Sequence, residues 1–210
     1  MRKRPYKQRE RARREAHILR TAGHIIREQG YNELTMEQLA EAVGISKPTL
    51  YQHFSTKDDM VAQVALCGAQ NLTSYLENLE AGSPLTQLEK IMRYVLESQH
   101  APDGFSMPLV YHQVMDVLKN QPDLIDLQDA IRGYLLHTIN TGQQAGEIDP
   151  QLAPEVIMGS MFALLAVLEP PREFGPLTPD DIQKRIEHLV RFFIRGIRAP
   201  QANSAQPPSG

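Results

Sequence analysis

Apolar residues in this chain recur at the spacing of a helix, and no convincing run alternates apolar with polar as a half-buried strand must. That single regularity excludes sheet architectures. It leaves an all-α chain, whose helices must bury their stripes on one another. Glycine and proline then cut the chain into about nine helices.

The first helix is expected from about Arg9 to Gln29, with Ile18, Ala22, Ile25 and Ile26 on one face and Gly30 as a left-handed stop. Thr35 stands three residues before Gln38, the spacing of a capping box, and opens a short helix. Met36, Leu39, Ala40 and Val43 make its apolar face, and Gly44 ends it. A third helix starts near Ser46 to Pro48, where proline's missing N–H has no intrahelical partner. Ser55 or Thr56 caps a fourth, with Asp58 and Asp59 complementing its dipole and Met60, Val61, Val64 and Ala65 turned inward.

Further helices are expected over 85–99, 108–119, 123–144, 151–168 and 180–197. The last carries the longest stripe, from Ile182 through Ile186, Leu189, Val190, Phe193 and Ile194 to Ile197. Residues 199–210 lack core-forming side chains and read as a disordered tail.

Composition sharpens the reading through charge. Residues 1–60 carry 12 Lys and Arg against 8 Asp and Glu, whereas the remainder carries 10 against 17. A basic head on an acidic body points to one segment facing a polyanion. The strongest concentration is Arg2, Lys3, Arg4, Lys7, Arg9, Arg11, Arg13 and Arg14. The lone cysteine, Cys67, allows no internal disulfide, and no zinc-ligand cluster, cofactor motif or i, i+4 histidine pair appears. No signal peptide is evident, and the longest apolar run, Ile157 to Leu168, is too short to span a bilayer. No metal, no cofactor and no membrane are therefore expected, and the cytoplasm is the expected compartment.

The second and third helices have the proportions of a helix-turn-helix. A B-DNA major groove about 12 Å wide admits one α-helix. Gly44 supplies the tight turn, while Val43, Ile45, Leu50 and Phe54 form a small core against the first helix. The opposite face presents Lys47, Pro48, Thr49 and Gln52 toward base edges. The helix N-termini near Thr35 and Ser46 offer amides to phosphates.

The stretch TMEQLAEAVGISKPTLYQHFSTKDDMV, with Leu50-Tyr51-Gln52-His53-Phe54 followed by Ser55-Thr56-Lys57-Asp58-Asp59, resembles the signature of the TetR/AcrR family of bacterial transcriptional regulators. The preceding ILRTAGHIIREQGYNELT resembles that family's first helix, so the likeness is continuous from Ile18 to Val64. It implies phosphate contacts from Thr35, Ser46, Tyr51, His53 and Lys57, and base contacts from Lys47, Pro48 and Thr49. Alternatives stay open at three positions: a partly packed aromatic for Tyr51, a helix cap for His53 and a solvated charge for Lys57. The basic arm is longer than the family's minimum. It either enters the adjacent minor groove or hovers near phosphates and steepens the salt dependence.

The resemblance further implies a helical region beyond residue 70 that dimerises and encloses a small apolar effector. Helix 151–168 is apolar or small on nearly every side and must be covered on every side. Together with the last helix it offers Ile157, Met161, Leu164, Leu168, Leu189, Phe193 and Ile197 to a partner, the alternative being a core within one chain. Met92, Phe105, Met107, Tyr111, His112, Met115, Tyr134, His137 and Thr138 combine apolar bulk with polar tips, the mixture of a ligand cavity, though each also suits ordinary core.

The expected organisation is a basic arm over 1–14, a DNA-reading domain over 15–62, an effector and dimerisation domain over 63–198, and the tail. The expected function is a homodimeric repressor on a palindromic double-stranded operator, working on the bacterial nucleoid and released by its effector. A regulator acting mainly through protein partners, with DNA as a tether, is the alternative, as is an activator. No nucleophile elbow, phosphate loop or tight acid–base pair marks an enzyme.

Overall fold

The computed structural model describes residues 6–101, 116–119, 121–165, 167–168 and 177–200. Eight helices follow in order among them: α1 (Tyr6–Gln29), α2 (Met36–Val43), α3 (Lys47–Tyr51), α4 (Lys57–Glu77), α5 (Pro84–His100), α6 (Pro122–Gln144), α7 (Pro154–Leu165) and α8 (Pro179–Ile197). Residues 116–118 are also helical, and the rest of the helix expected over 108–119 lies outside the described residues. Among the described residues the one β contact is an isolated bridge between Ile148 and Arg198. The fold is all-α, as the periodicity requires.

The chain divides into two compact units. One comprises residues up to Leu79 with Tyr94–Arg132, and the other Glu80–Arg93 with residues from Gly133 onward. α4 runs unbroken through residues 62 and 63, where the sequence places a domain boundary.

In the first unit α1 packs on α2 and α4, and α2 on α3. Its core is Ile18, Leu19, Ala22, Ile25 and Ile26 of α1, Leu39 of α2, Leu50 and Phe54 at α3, and Met60, Val61 and Val64 of α4. Gly30 and Gly44 close α1 and α2 at φ 95° and 75°, in the left-handed region where a Cβ is strained. Thr35 accepts from the Gln38 backbone N–H at 3.1 Å. The Gln38 side chain does not complete a box but donates to Gln29 at 2.7 Å. Thr56 rather than Ser55 caps α4, accepting from Asp59 N–H. α1 starts at Tyr6, so residues 6–14, expected as an arm, are its first turns. At its other end Arg27 donates to the Gln99 carbonyl.

The second unit is held together by contacts between segments far apart in sequence. α7 packs on α8, and α8 opens on a full capping box between Thr178 and Asp181. Arg93 pairs with Glu187 through both guanidinium nitrogens. Asp149 N–H donates to Ile197 O at 2.9 Å and Ala199 N–H to Glu147 O at 3.0 Å. Ala199 is thereby anchored, so the tail expected from residue 199 does not begin there, and residues 201–210 lie outside the described residues. Among the described residues no helix is long and apolar enough to cross a membrane.

Candidate nucleic-acid interface

The α2–α3 turn is set by backbone bonds that its glycine permits. Gly44 N–H donates to Glu41 O and Ile45 N–H to Ala40 O at 2.9 Å, so the chain reverses within three residues. Ser46 then caps α3: its hydroxyl accepts from Thr49 N–H at 3.3 Å and lies 2.8 Å from the Thr49 hydroxyl. Leu50 is fully buried and Phe54 nearly so, while Val43 and Ile45 are half-buried at the rim. The small core expected from these four residues is thus centred on Leu50 and Phe54.

Burial on one side leaves Lys47, Pro48, Tyr51 and Gln52 exposed on the other, with Thr49 half-buried. Tyr51 is 44% exposed, so its ring and hydroxyl face outward from this surface of α3. Lys47 pairs with Glu37 of α2, and its ammonium lies 6.0 Å from the Tyr51 ring centroid. The Glu37 carboxylate raises the Lys47 pKa, so the lysine reaches any DNA as a full cation.

Two positions behave differently from an open phosphate contact. The His53 side chain is only 8% exposed, and its Nδ1 lies 3.1 Å from Glu15 of α1. Arg11 donates to the same carboxylate at 2.9 Å and also reaches the Gln52 carbonyl at 3.4 Å. Partial burial works to raise the Glu15 pKa, but the bonds from Arg11 and His53 outweigh it and hold the carboxyl below its ordinary value. This cluster ties the end of α3 to α1. Lys57 donates to the Asn32 carbonyl at 3.4 Å and sits 4.1 Å from the Tyr31 ring centroid. Partial burial pulls its pKa below the lysine norm. Beside it the Tyr31 hydroxyl donates to Asp58, and burial together with that carboxylate pushes the phenol up to about 12.

Glu15, Glu37 and Tyr31 escaped the sequence reading, which placed Arg11 only in the basic concentration of the N-terminal segment. The one available signal was Glu15, an acid inside a basic helix four residues from Arg11.

The other expected sites fare unevenly. Phe105, Met107, Tyr111, His112 and Met115 lie outside the described residues. Of the remainder, Met92 is fully buried, Tyr134 half-buried and His137 exposed. Thr138 is buried, with its hydroxyl satisfied by Tyr134 O at 2.9 Å. Ile157, Met161, Leu168, Leu189, Phe193 and Ile197, expected at a subunit interface, are buried within their own chain, and Leu164 is half-buried. These six have almost no surface left for a partner. The exposed large apolar residues of α7 and α8 are Val156, Phe162 and Phe192. Cys67 is half-buried, and burial pushes its thiol up, away from the reactive thiolate.

Residues 18–64 match the profile of bacterial regulatory proteins of the tetR family. The chain is 24% identical over 161 residues to the HTH-type transcriptional regulator AcrR of Shigella flexneri, covering 71% of this chain and 75% of that protein. Its fold is similar to the ketosteroid transcriptional regulator KstR2 of Mycobacterium tuberculosis, with TM-score 0.67 and 20% identity over 89% of this chain and 96% of that one. It is also similar to AibR in complex with isovaleryl coenzyme A and operator DNA, with TM-score 0.66 and 18% identity over 90% and 100%.

Proposed function

Since residues 18–64 match the model of the tetR family of bacterial regulatory proteins, we propose that the chain is a homodimeric repressor which binds a palindromic operator through α3 and leaves it when a small molecule binds. The carrying observation is the uncovered face of α3, where Lys47, Pro48, Tyr51 and Gln52 stand exposed above a buried Leu50. Lysine suits guanine O6 and N7, and Gln52 suits adenine. Tyr51 and the capped N-termini at Thr35 and Ser46 suit phosphate oxygens. His53 serves by holding the end of α3 against Glu15, and Lys57 by bracing the loop at Asn32.

A two-fold pair of reading heads needs a partner surface. Val156 and Phe162 of α7, with Phe192 of α8, are large apolar side chains left uncovered by the chain, and Gly159 and Gly196 beside them permit close approach. These, rather than the buried stripe, are the assigned dimer contacts. The effector reading draws support from the AibR complex, whose bound thioester is an acyl-coenzyme A. Here it is carried by Met92 and Tyr134 among the described residues. The place of action is the cytoplasm, on the nucleoid.

Selection of bound sites from random duplex DNA, followed by footprinting, tests the reading. A symmetric protected site supports it, and failure to enrich any sequence sinks it. Sedimentation of Phe192→Arg tests the pairing: the substitution yields monomers if α8 forms the interface, and an unchanged dimer moves that interface elsewhere.

A further inference from the structure

We propose that the first turns of α1 form a rigid clamp for the phosphate backbone of DNA flanking the site read by α3, with Lys7 and Arg14 as the gripping residues. The inference rests on the DNA-reading assignment above and extends it beyond the helix-turn-helix.

Three observations carry it. First, residues 6–14 are all exposed, and α1 buries no side chain before Ile18. Packing therefore does not explain why this stretch is helical. Second, its charge opposes the helix it belongs to. Lys7, Arg9, Arg11, Arg13 and Arg14 stand against Glu10 alone, and the first turn holds no acid, although a helix N-terminus favours negative charge. A polyanion relieves that conflict. Third, Arg11 fixes where the stretch points. Its guanidinium donates to the Gln52 carbonyl and to Glu15, which also holds His53, so this face of α1 lies against the C-terminal end of α3.

At about 100° per residue, Lys7 and Arg14 lie within about 60° of Arg11, while Arg9 and Arg13 lie roughly 160° away. Lys7 and Arg14 thus continue the surface of α3, and Arg9 and Arg13 point from it. A helix about 10 Å across does not enter a minor groove about 6 Å wide, so the contact is to phosphates and not to a groove floor. A membrane surface suits the stretch poorly, because its only apolar side chains are Tyr6 and Ala12.

The experiment compares Lys7→Ala/Arg14→Ala with Arg9→Ala/Arg13→Ala, which removes equal charge from the opposite face. Each is titrated with a duplex selected by the wild type, at 50 to 200 mM salt, with and without flanking base pairs. The near-face pair is expected to flatten the salt slope by about 0.9 per lost contact, roughly 2 per protomer. That difference is expected to vanish on the trimmed duplex, with the far-face pair close to wild type and both pairs melting like wild type. An unchanged slope, an equal fall for both pairs, or a lowered melting point of the near-face pair overturns the clamp. So does loss of binding to anionic vesicles with no change on DNA. Wild-type protein that enriches no duplex overturns the parent reading, and a normal wild-type site with unaltered variant slopes overturns the clamp alone.

Discussion

Leu50 and Tyr51 are neighbours on one five-residue helix, yet their replacement by alanine has opposite expected consequences. Leu50 is fully buried, so Leu50→Ala loses the transfer energy of its side chain and leaves a cavity in the core of the first unit. Buried leucines of this kind cost about 2–5 kcal/mol. Complete burial places this one near 3 kcal/mol, which for a chain of this size lowers the melting temperature by roughly 10 °C. Tyr51 already has 44% of its surface in water, so its truncation costs the fold less than about 1 kcal/mol. In the proposed complex its hydroxyl on a phosphate would make a charge-assisted bond worth about 1.5–3 kcal/mol, or roughly 10- to 100-fold in affinity per protomer. Thermal unfolding by circular dichroism and fluorescence anisotropy with labelled operator, both at one salt concentration, separate the two effects. The reasoning fails if Tyr51→Ala melts as low as Leu50→Ala, or if it binds DNA like wild type.

Three other perturbations probe contacts that only the three-dimensional arrangement reveals. Glu15→Gln removes a carboxylate whose folded pKa lies below its ordinary value of 4.5; its stabilising effect is present above that value and lost as pH falls through the folded pKa. The melting-point gap between wild type and variant should therefore narrow below about pH 4.5, and a gap independent of pH would falsify the role given to the ionised group. Glu37→Gln frees Lys47 from its carboxylate partner and should strengthen binding to non-cognate DNA more than to the operator; an unaltered ratio in competition assays counts against that pairing. Gly142→Ala drives a Cβ to 2.5 Å from Ile148 Cδ1 and should destabilise by about 1–3 kcal/mol in denaturant unfolding. Adding Ile148→Val removes the nearest atom and should recover part of that loss, and a strictly additive double variant refutes the clash.

What could be read from the chain follows the range of the interactions involved. Thr35, Gly44 and Ser46 act on backbone groups three or four residues away, so their capping and turn roles are written locally, and the structure reproduces those. Gln38 misled because its amide has a competitor in Gln29, nine residues back and brought near by the packing of α1 on α2. His53 pairs with Glu15 across thirty-eight residues, a partnership no spacing rule encodes. The apolar stripes of α7 and α8 disclosed which residues leave water but not what covers them. Periodicity reports burial, and Ile157 or Phe193 would look the same under a partner's helix as under their own chain's.

The junction of Asp149 with Ile197 and of Glu147 with Ala199 sets an order of events during synthesis. Its partners stand roughly fifty residues apart in the chain. The segments that build the reading head, α1 to α3, complete their mutual contacts within the first fifty-odd residues and are free to assemble while the ribosome is still translating. The loop after α6 has no such freedom: its backbone amide at Asp149 waits for the Ile197 carbonyl, which emerges about fifty residues later. A nascent chain is thus able to present its DNA-reading surface before the second unit is sealed.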